Sequence, residues 1–320
     1  MPPTLFPPPP VDPSCAPIEH TLLVIRAPTE GQDVFTNTYP LWIPPLGRSL
    51  FGGVLIGQAI SAAQHTVKPD FVISRMSCTF LATVDTTKPL YYRVSRSSDR
   101  SSTAVREVKV EQDGIVSFTA ECNFSRTAPR PLPAIHQPVP LLSGSRPPPA
   151  PGIPESNDRA FTDRMDMDPF LWEDLPPVQD PSISPPTNAL LSWTRTRGAM
   201  SLTRTNHNHL AVLGFLTDSW NLSRTPEMHP AALGPTGEKI RFIVTLNHTI
   251  WFHDPLVKMD DWLLVSKGSS WAAEGRCLVD QRVWDTRRGT LVATCVQEGA
   301  LRVGGGGSGN GSMKSRSSRI

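Results

Sequence analysis

Cysteine is scarce in this 320-residue chain, and the five present (Cys15, Cys78, Cys122, Cys277 and Cys295) are odd in number, widely spread and without any Cys-x-x-Cys pair. That pattern excludes a disulfide framework and a zinc cluster, and it fits reduced thiols in an intracellular protein. No segment approaches the roughly 20 consecutive apolar residues of a membrane span. The opening stretch, MPPTLFPPPP, lacks the charged and apolar regions of a signal peptide. An excess of one charge is missing too: 31 basic and 29 acidic residues leave a net charge of +2, and no basic run occurs before the last few residues. Nucleic acid is therefore not an expected partner. A Gly-x-Ser-x-Gly elbow is absent, so a serine hydrolase of the α/β class has no support. Nor is there a strand, Gly-rich loop and helix with an acidic residue downstream, the unit that would cradle a dinucleotide. What remains is a soluble intracellular protein with no membrane span, long enough for one large or two ordinary domains.

Proline, by contrast, is abundant: 34 residues, crowded at the N-terminus and between about 127 and 187. Because proline removes a backbone donor and interrupts helices and strands, residues 1–30 read as a Pro-rich segment. By the same reasoning 127–195 reads as a linker between two folded halves, 31–126 and 196–303. The stretch 304–320, GGGGSGNGSMKSRSSRI, reads as a flexible tail.

The two halves repeat. In the first, LFGGVLIGQAISAAQHTV (50–67) predicts a helix, and four strand patterns follow, the last two joined by a turn at Asp113-Gly114. In the second, NHLAVLGFLTDSWNL (208–222) predicts a helix, and four strand patterns follow with a turn at Arg288-Gly289. One helix and one antiparallel meander leave apolar surface uncovered unless a second copy packs against them. The expected fold is therefore α+β, a double hot-dog: two tandem units, each a helix wrapped by an antiparallel sheet. The small residues Gly52, Gly53, Gly57, Ala59, Ala62 and Ala63 would let helix and sheet approach closely.

TLNHTIWFHDPL (245–256) looks at first like a metal site. Strict alternation places Thr245, Asn247, Thr249, Trp251 and His253 on one face of a strand, with Leu246, His248, Ile250 and Phe252 on the other. His248 and His253 then face opposite ways, which suits neither the strand nor the helical spacing of a zinc pair, so no metal is expected. His207 and His209 likewise lack Cys or carboxylate companions at metal spacing.

LFGGVLIGQAISAA, TLNHTIWFH and LVATCVQEGALRV, in this order and spacing, resemble the three signature stretches of the type II acyl-CoA thioesterases, tandem hot-dog enzymes of bacteria and peroxisomes. The resemblance covers about 40–125 and 195–303. It implies hydrolysis of acyl-CoA to free acid and CoA, with no metal or organic cofactor, and it implies catalytic roles for Asp218, Thr245 and Gln297. The local chemistry is compatible. Asp218 follows Gly214 by four residues on an apolar helix, which leaves room for a ligand, and partial burial would raise its pKa toward that of a useful base. Thr245 heads a polar strand face, and Gln297 offers a donor and an acceptor without titrating. Aligning Gly57 with Gly214, Phe80 with Phe252 and Gly114 with Gly289 sets Ser61, Ile73 and Cys122 opposite these three residues. One active site per chain follows.

Gly214 and His248 are further candidates for substrate contact, and Arg100 and Arg106 match basic positions that would meet CoA phosphates, with a solvated strand edge as the alternative. Three departures from the family pattern (Val54, Asn247 and Ser77 in place of Gln, Asp and His) leave the acyl range open. The rival functions are a hot-dog enoyl-thioester hydratase using Asp218 with His248, and a non-catalytic acyl-CoA-binding protein. Ser318-Arg319-Ile320 resembles the peroxisomal import tripeptide. The expected partners are thus an acyl-CoA substrate, a second copy in a homo-oligomer and the peroxisomal import receptor.

Overall fold

Two helices that are apolar nearly all round stand at the centre of this protein, as helices of that composition must. A computed structural model describes residues 14–44, 49–127, 168–180, 187–201, 206–229 and 239–304. The first half comprises α1 (Pro17–Thr21), β1 (Val24–Arg26), β2 (Val34–Asn37), α2 (Gly52–Gln64), β3 (Phe71–Phe80), β4 (Tyr91–Asp99), β5 (Thr103–Gln112) and β6 (Ile115–Arg126). The second comprises β7 (Phe170–Asp180), β8 (Thr187–Thr196), α3 (Asn206–Leu216), α4 (Thr225–Met228), β9 (Lys239–Phe252), β10 (Leu263–Ala273), β11 (Arg276–Asp285) and β12 (Thr290–Gly304). All twelve strands join one antiparallel sheet in the order β1-β2-β4-β5-β6-β3-β9-β12-β11-β10-β8-β7. Read from either end, the order is the same once each strand is replaced by its counterpart, so the sheet is a pair of six-stranded units joined at β3 and β9.

The register at that joint fixes the equivalence of the halves residue by residue. Met76 pairs with Ile250 and Cys78 with His248, which centres the joint on Ser77 and Thr249, and these two hydroxyls lie 2.9 Å apart. The alignment of Phe80 with Phe252 is the same shift. Against the inner face of the sheet, α2 and α3 pack side by side. A Cβ on Gly53 would lie 2.8 Å from the carbonyl oxygen of Phe215, and one on Gly57 3.1 Å from that of Ala211. These glycines thus let the helices approach each other rather than the sheet. One apolar cluster containing residues of both halves, from Ile56 and Met76 to Phe215 and Ile250, forms the core.

Two expectations about the prolines are corrected. Residues 14–30 are not featureless: α1 and β1 close the edge of the first unit, with Ile18, Leu22 and Val24 buried. The expected linker contains β7 and β8, so the second unit already has strands at Phe170. Pro176 and Pro177 are tolerated because β7 is the outermost strand and the pairing slips between Leu175 and Val178, where no ladder donor is needed. Residues 128–167, the first part of the expected linker, and 305–320, nearly all of the expected tail, lie outside the described residues.

Candidate active site

Strict alternation fails at one place in β9, and the failure builds the site. Gly299 pairs with Thr245 while Glu298 pairs with Asn247, so Leu246 is a bulge. A bulge rotates the strand beyond it by one face. Thr245 consequently shares the inner face with His248 and Ile250, not the outer face with Asn247 and Thr249 as alternation predicts. The first half has the same irregularity, between Ile73 and Arg75, but there the inward residue is apolar Ile73.

α3 ends earlier than the pattern predicts. Its helix stops at Leu216, and Thr217 to Asn221 form a turn, with Trp220 at a left-handed φ of 57°. Asp218 therefore projects from a turn rather than from the helix. Its Oδ1 accepts hydrogen bonds from Gln297 Nε2 at 2.5 Å and Thr245 Oγ1 at 3.2 Å, and Gln297 Nε2 lies 2.8 Å from Thr245 Oγ1. The three residues implied by the resemblance thus meet at one point, brought from the turn after α3, from β9 and from β12. Gln297 is 1 % exposed and its Oε1 has no protein hydrogen-bond partner, which leaves a buried acceptor unused. Burial raises the Asp218 carboxyl to about 6, against hydrogen bonds from Thr245, Gln297 and the backbone of Gly53, and against the charge of Lys267.

Gly52 and Gly53, treated in the sequence as packing residues only, belong to the site. They open α2, where N–H groups have no intrahelical partner, and the Gly53 N–H reaches the Asp218 carboxylate. A Cβ on Gly52 would stand 2.6 Å from Asp218 Oδ2. The signal in the sequence was a helix that begins with two poor helix formers. Lys267 was also missed, although it is a lone cation at an inward position of LLVSKGSS. It is 1 % exposed, and its Nζ donates to the Ser219 carbonyl at 2.6 Å.

The other expected contacts divide. His248 faces the cluster, with Nδ1 4.0 Å from Asp218 Oδ1, while its Nε2 lies 3.0 Å from Thr217 Oγ1 and 3.2 Å from Cys295 Sγ. Burial pushes its imidazole down to about 3, so it is neutral. Gly214 is not open to a ligand: the space beside it is filled by Ile60, whose Cδ1 would lie 2.5 Å from an added Cβ. Arg106 is not available to phosphates either. It is 1 % exposed and donates to Thr66 Oγ1 and O, Ser98 O, Val105 O and Asp99 Oδ1, tying α2 to the β4–β5 turn. Arg100 is exposed in that turn, away from these contacts. Cys122 and Cys295 are buried thiols, pushed up to about 12 and well above the ordinary value respectively by desolvation.

The first half has no such cluster, because Ser61, Ile73 and Cys122 stand at the matching positions. At the corresponding end of α3, the buried Glu19 carboxylate from α1 accepts from Ser201 N at 2.8 Å, Ser201 Oγ at 2.8 Å and Asn208 Nδ2 at 3.2 Å.

Residues 39–125 match the family described as the acyl-CoA thioesterase N-terminal domain and residues 144–301 the acyl-CoA thioesterase C-terminal domain. Acyl-coenzyme A thioesterase 8 of Rattus norvegicus is 31% identical over 280 residues, 82% of each chain. A peroxisomal acyl-coenzyme A thioester hydrolase of Saccharomyces cerevisiae is 22% identical over 88% of this chain and 93% of its own. In fold, the crystal structure of an acyl-CoA thioesterase II from Mycobacterium marinum superposes with a TM-score of 0.67 at 23% identity, over 91% of this chain and 99% of that one. The chain belongs to the type II acyl-CoA thioesterase family, and it hydrolyses acyl-CoA thioesters to the free carboxylic acid and CoA.

Proposed function

We propose that Asp218 is the general base of this hydrolysis and that Thr245 and Gln297 hold the attacking water. The observation that carries the reading is the convergence of an ionisable carboxylate, a hydroxyl and an amide within 3.2 Å of one another on the inner face of the second unit. The carboxylate takes one proton from the water while the resulting hydroxide bonds to the thioester carbonyl carbon. The carbonyl oxygen becomes an oxyanion, which the positive end of the α2 dipole beside Asp218 favours. Collapse of the tetrahedral species breaks the C–S bond. The thiolate of CoA leaves with the proton returned by Asp218, and the acid departs as its carboxylate after losing its own proton to solvent. No covalent bond to the enzyme forms. A base poised near 6 is ionised at neutral pH and still basic enough to assist water.

The test is thiol release from acyl-CoAs of graded length, with the wild type beside Asp218→Asn and both checked for folding. General-base removal lowers kcat by about 10² to 10⁴. A folded variant with wild-type kcat would sink the assignment.

We infer further that the enzyme works in the peroxisome. The support is the peroxisomal compartment in the name of the yeast relative together with Ser318-Arg319-Ile320, which lies outside the described residues. A fluorescent fusion should lose peroxisomal localisation when these three residues are deleted; unchanged localisation would count against the tail as the signal.

A further inference from the structure

The turn that carries Asp218 has two carbonyl groups with no place in a helix, and each has been given its own side-chain donor. Because α3 unwinds after Leu216, the carbonyls of Thr217 and Ser219, on either side of Asp218, point inward. Asn221 Nδ2 donates to the first and Lys267 Nζ to the second, at 2.6 Å. A third fastening comes from Trp220, whose indole Nε1 donates to the buried Asp168 Oδ2 at 2.9 Å while its backbone sits in the left-handed region. Such strain persists only where surrounding contacts over-determine it.

The other half of the chain serves as an internal control. Lys267 pairs with Gln281 and Gln281 with Cys295, while Val94 pairs with Val108 and Val108 with Ala120. Since Ala120 and Cys295 face the matched residues Cys78 and Ile250, Val94 is the counterpart of Lys267 and Val108 that of Gln281. In the first half α2 continues to Gln64 with no turn at the corresponding place. The buried lysine, the unwound turn and the carboxylate thus occur together in one copy and are absent together from the other. A structural need for a cation at this strand position would have been common to both.

We propose that Lys267 is a positioning residue of the hydrolysis: it fixes the Ser219 carbonyl, and through it the turn that presents Asp218 to Thr245 and Gln297. The proposal rests on the reading of Asp218 as the base. The surroundings of Lys267 are consistent with a charged group kept for a purpose. Its ammonium lies over the Trp172 ring of β7 at 4.9 Å. Burial and, less, the Arg224 guanidinium lower it to about 7, with Asp174, Cys295 and Asp168 acting in the opposite direction. Leu190 of β8 and Gln281 of β11, which flank it in the sheet, carry no charge. Facing Asp218 are Thr245 and His248 of β9, Gln297 and the buried Cys295 of β12, the Gly53 N–H of α2 and the buried Cys78 of β3. The charge of Lys267 acts on the carboxylate in favour of its ionised form.

The test uses the full chain and three variants. Lys267→Met removes donor and charge, Lys267→Gln keeps an N–H within reach of the Ser219 carbonyl without the charge, and Asp218→Asn reports on the base itself. Thiol release from one acyl-CoA is followed from pH 5 to 9 over substrate concentrations below and above KM. Lys267→Met should lose about tenfold to a hundredfold in kcat, with KM within about threefold, as displacement of a reacting group does. Lys267→Gln should recover part of that loss. In both lysine variants the acid limb of kcat/KM should move up by roughly half a pH unit or more, because a nearby cation no longer favours the ionised base. If Lys267→Met fails to fold, the limb of Lys267→Gln decides alone. Wild-type kcat and an unmoved acid limb in a folded lysine variant, beside an inactive Asp218→Asn, would overturn the role of Lys267 and leave Asp218 as the base. Full activity in Asp218→Asn would instead overturn the reading beneath it.

Discussion

Replacing Gly52 with alanine separates the site from the scaffold more cleanly than removal of any polar group. Gly52 lies in the first turn of α2 and has no left-handed φ, so its backbone accepts a side chain. Alanine in a helix is favoured over glycine by about 0.5–1 kcal/mol. The added Cβ would nevertheless stand 2.6 Å from Asp218 Oδ2 and 2.9 Å from Phe80 Cε1, where an ordinary contact begins near 3.4 Å. The group that has to yield is therefore the carboxylate, by about 0.8 Å, with a smaller shift of the Phe80 ring. A displacement of that size opens the 2.5 Å bond to Gln297 and lengthens the 3.2 Å bond to Thr245. Misplacement of a reacting group by about 1 Å costs roughly a hundredfold in rate. We expect Gly52→Ala to lose on the order of thirtyfold to a hundredfold in kcat, while its unfolding midpoint in urea changes little because the helical gain offsets the crowding. Steady-state thiol release and urea unfolding of the same preparation are the assays. The reasoning would be refuted by a folded Gly52→Ala enzyme with kcat within threefold of the wild type. Gly57→Ala is the control, since the atoms it would strike are the methyls of Leu22 and a backbone oxygen at 3.1 Å, so it should cost stability and spare kcat.

Three further outcomes follow from the same geometry. The acid limb of kcat/KM should fall about tenfold per pH unit below about 6, the value to which burial raises Asp218; a limb near the ordinary 3.8 would show that the base is solvated during turnover. Because that folded value lies above the unfolded one, Asp218 stabilises the fold fully below about 3.8, and this contribution is lost as pH rises through about 6. Asp218→Asn should then be more stable than the wild type at pH 8 by on the order of 1–3 kcal/mol, a gap that closes toward pH 4 in urea titrations; a variant less stable at pH 8 would contradict the assigned burial cost. Arg106→Met should cost about 2–4 kcal/mol in urea unfolding, since it strands the carbonyls of Thr66 and Ser98, and should leave kcat/KM unchanged below its melting range. A selective rise in KM for CoA esters would restore the phosphate role.

The fold was legible because its signals are periodic. Helix and strand patterns recur in the same order in both halves, and a one-residue error in aligning them would have broken the pairing of Ser77 with Thr249. What was illegible was local and tertiary. The prolines of β7 look like a linker unless one knows that the strand is outermost, since edge position is a property of the sheet and not of the segment. The bulge at Leu246 has no side-chain signature: leucine suits either face, and only the pairing with Glu298 and Gly299 reveals that the alternation has slipped. Gly214 and Arg106 were misjudged for a related reason. A gap beside a glycine is open or filled according to the partner helix, and an arginine on a strand is exposed or buried according to what crosses above it.

The site itself shows why one copy of the repeat differs so sharply from the other. Thr245, His248, Lys267 and Gln297 replace Ile73, Met76, Val94 and Cys122 at matched inward positions. Each buried polar group costs on the order of 1–3 kcal/mol where its partners are incomplete. His248 Nδ1, Gln281 Nε2 and Gln297 Oε1 have no protein partner. A domain with marginal stability tolerates such a cluster once more easily than twice. The first half keeps its helix intact through Gln64, fills the same face with apolar side chains and contributes to the chemistry only the end of α2 that touches Asp218. Because α2 and α3 share one core, the stability of the apolar copy supports the polar one. A duplicated fold can in this way hold an ionisable carboxylate out of water with its partners incomplete, a condition that a lone unit with the same polar interior would meet only by becoming less stable.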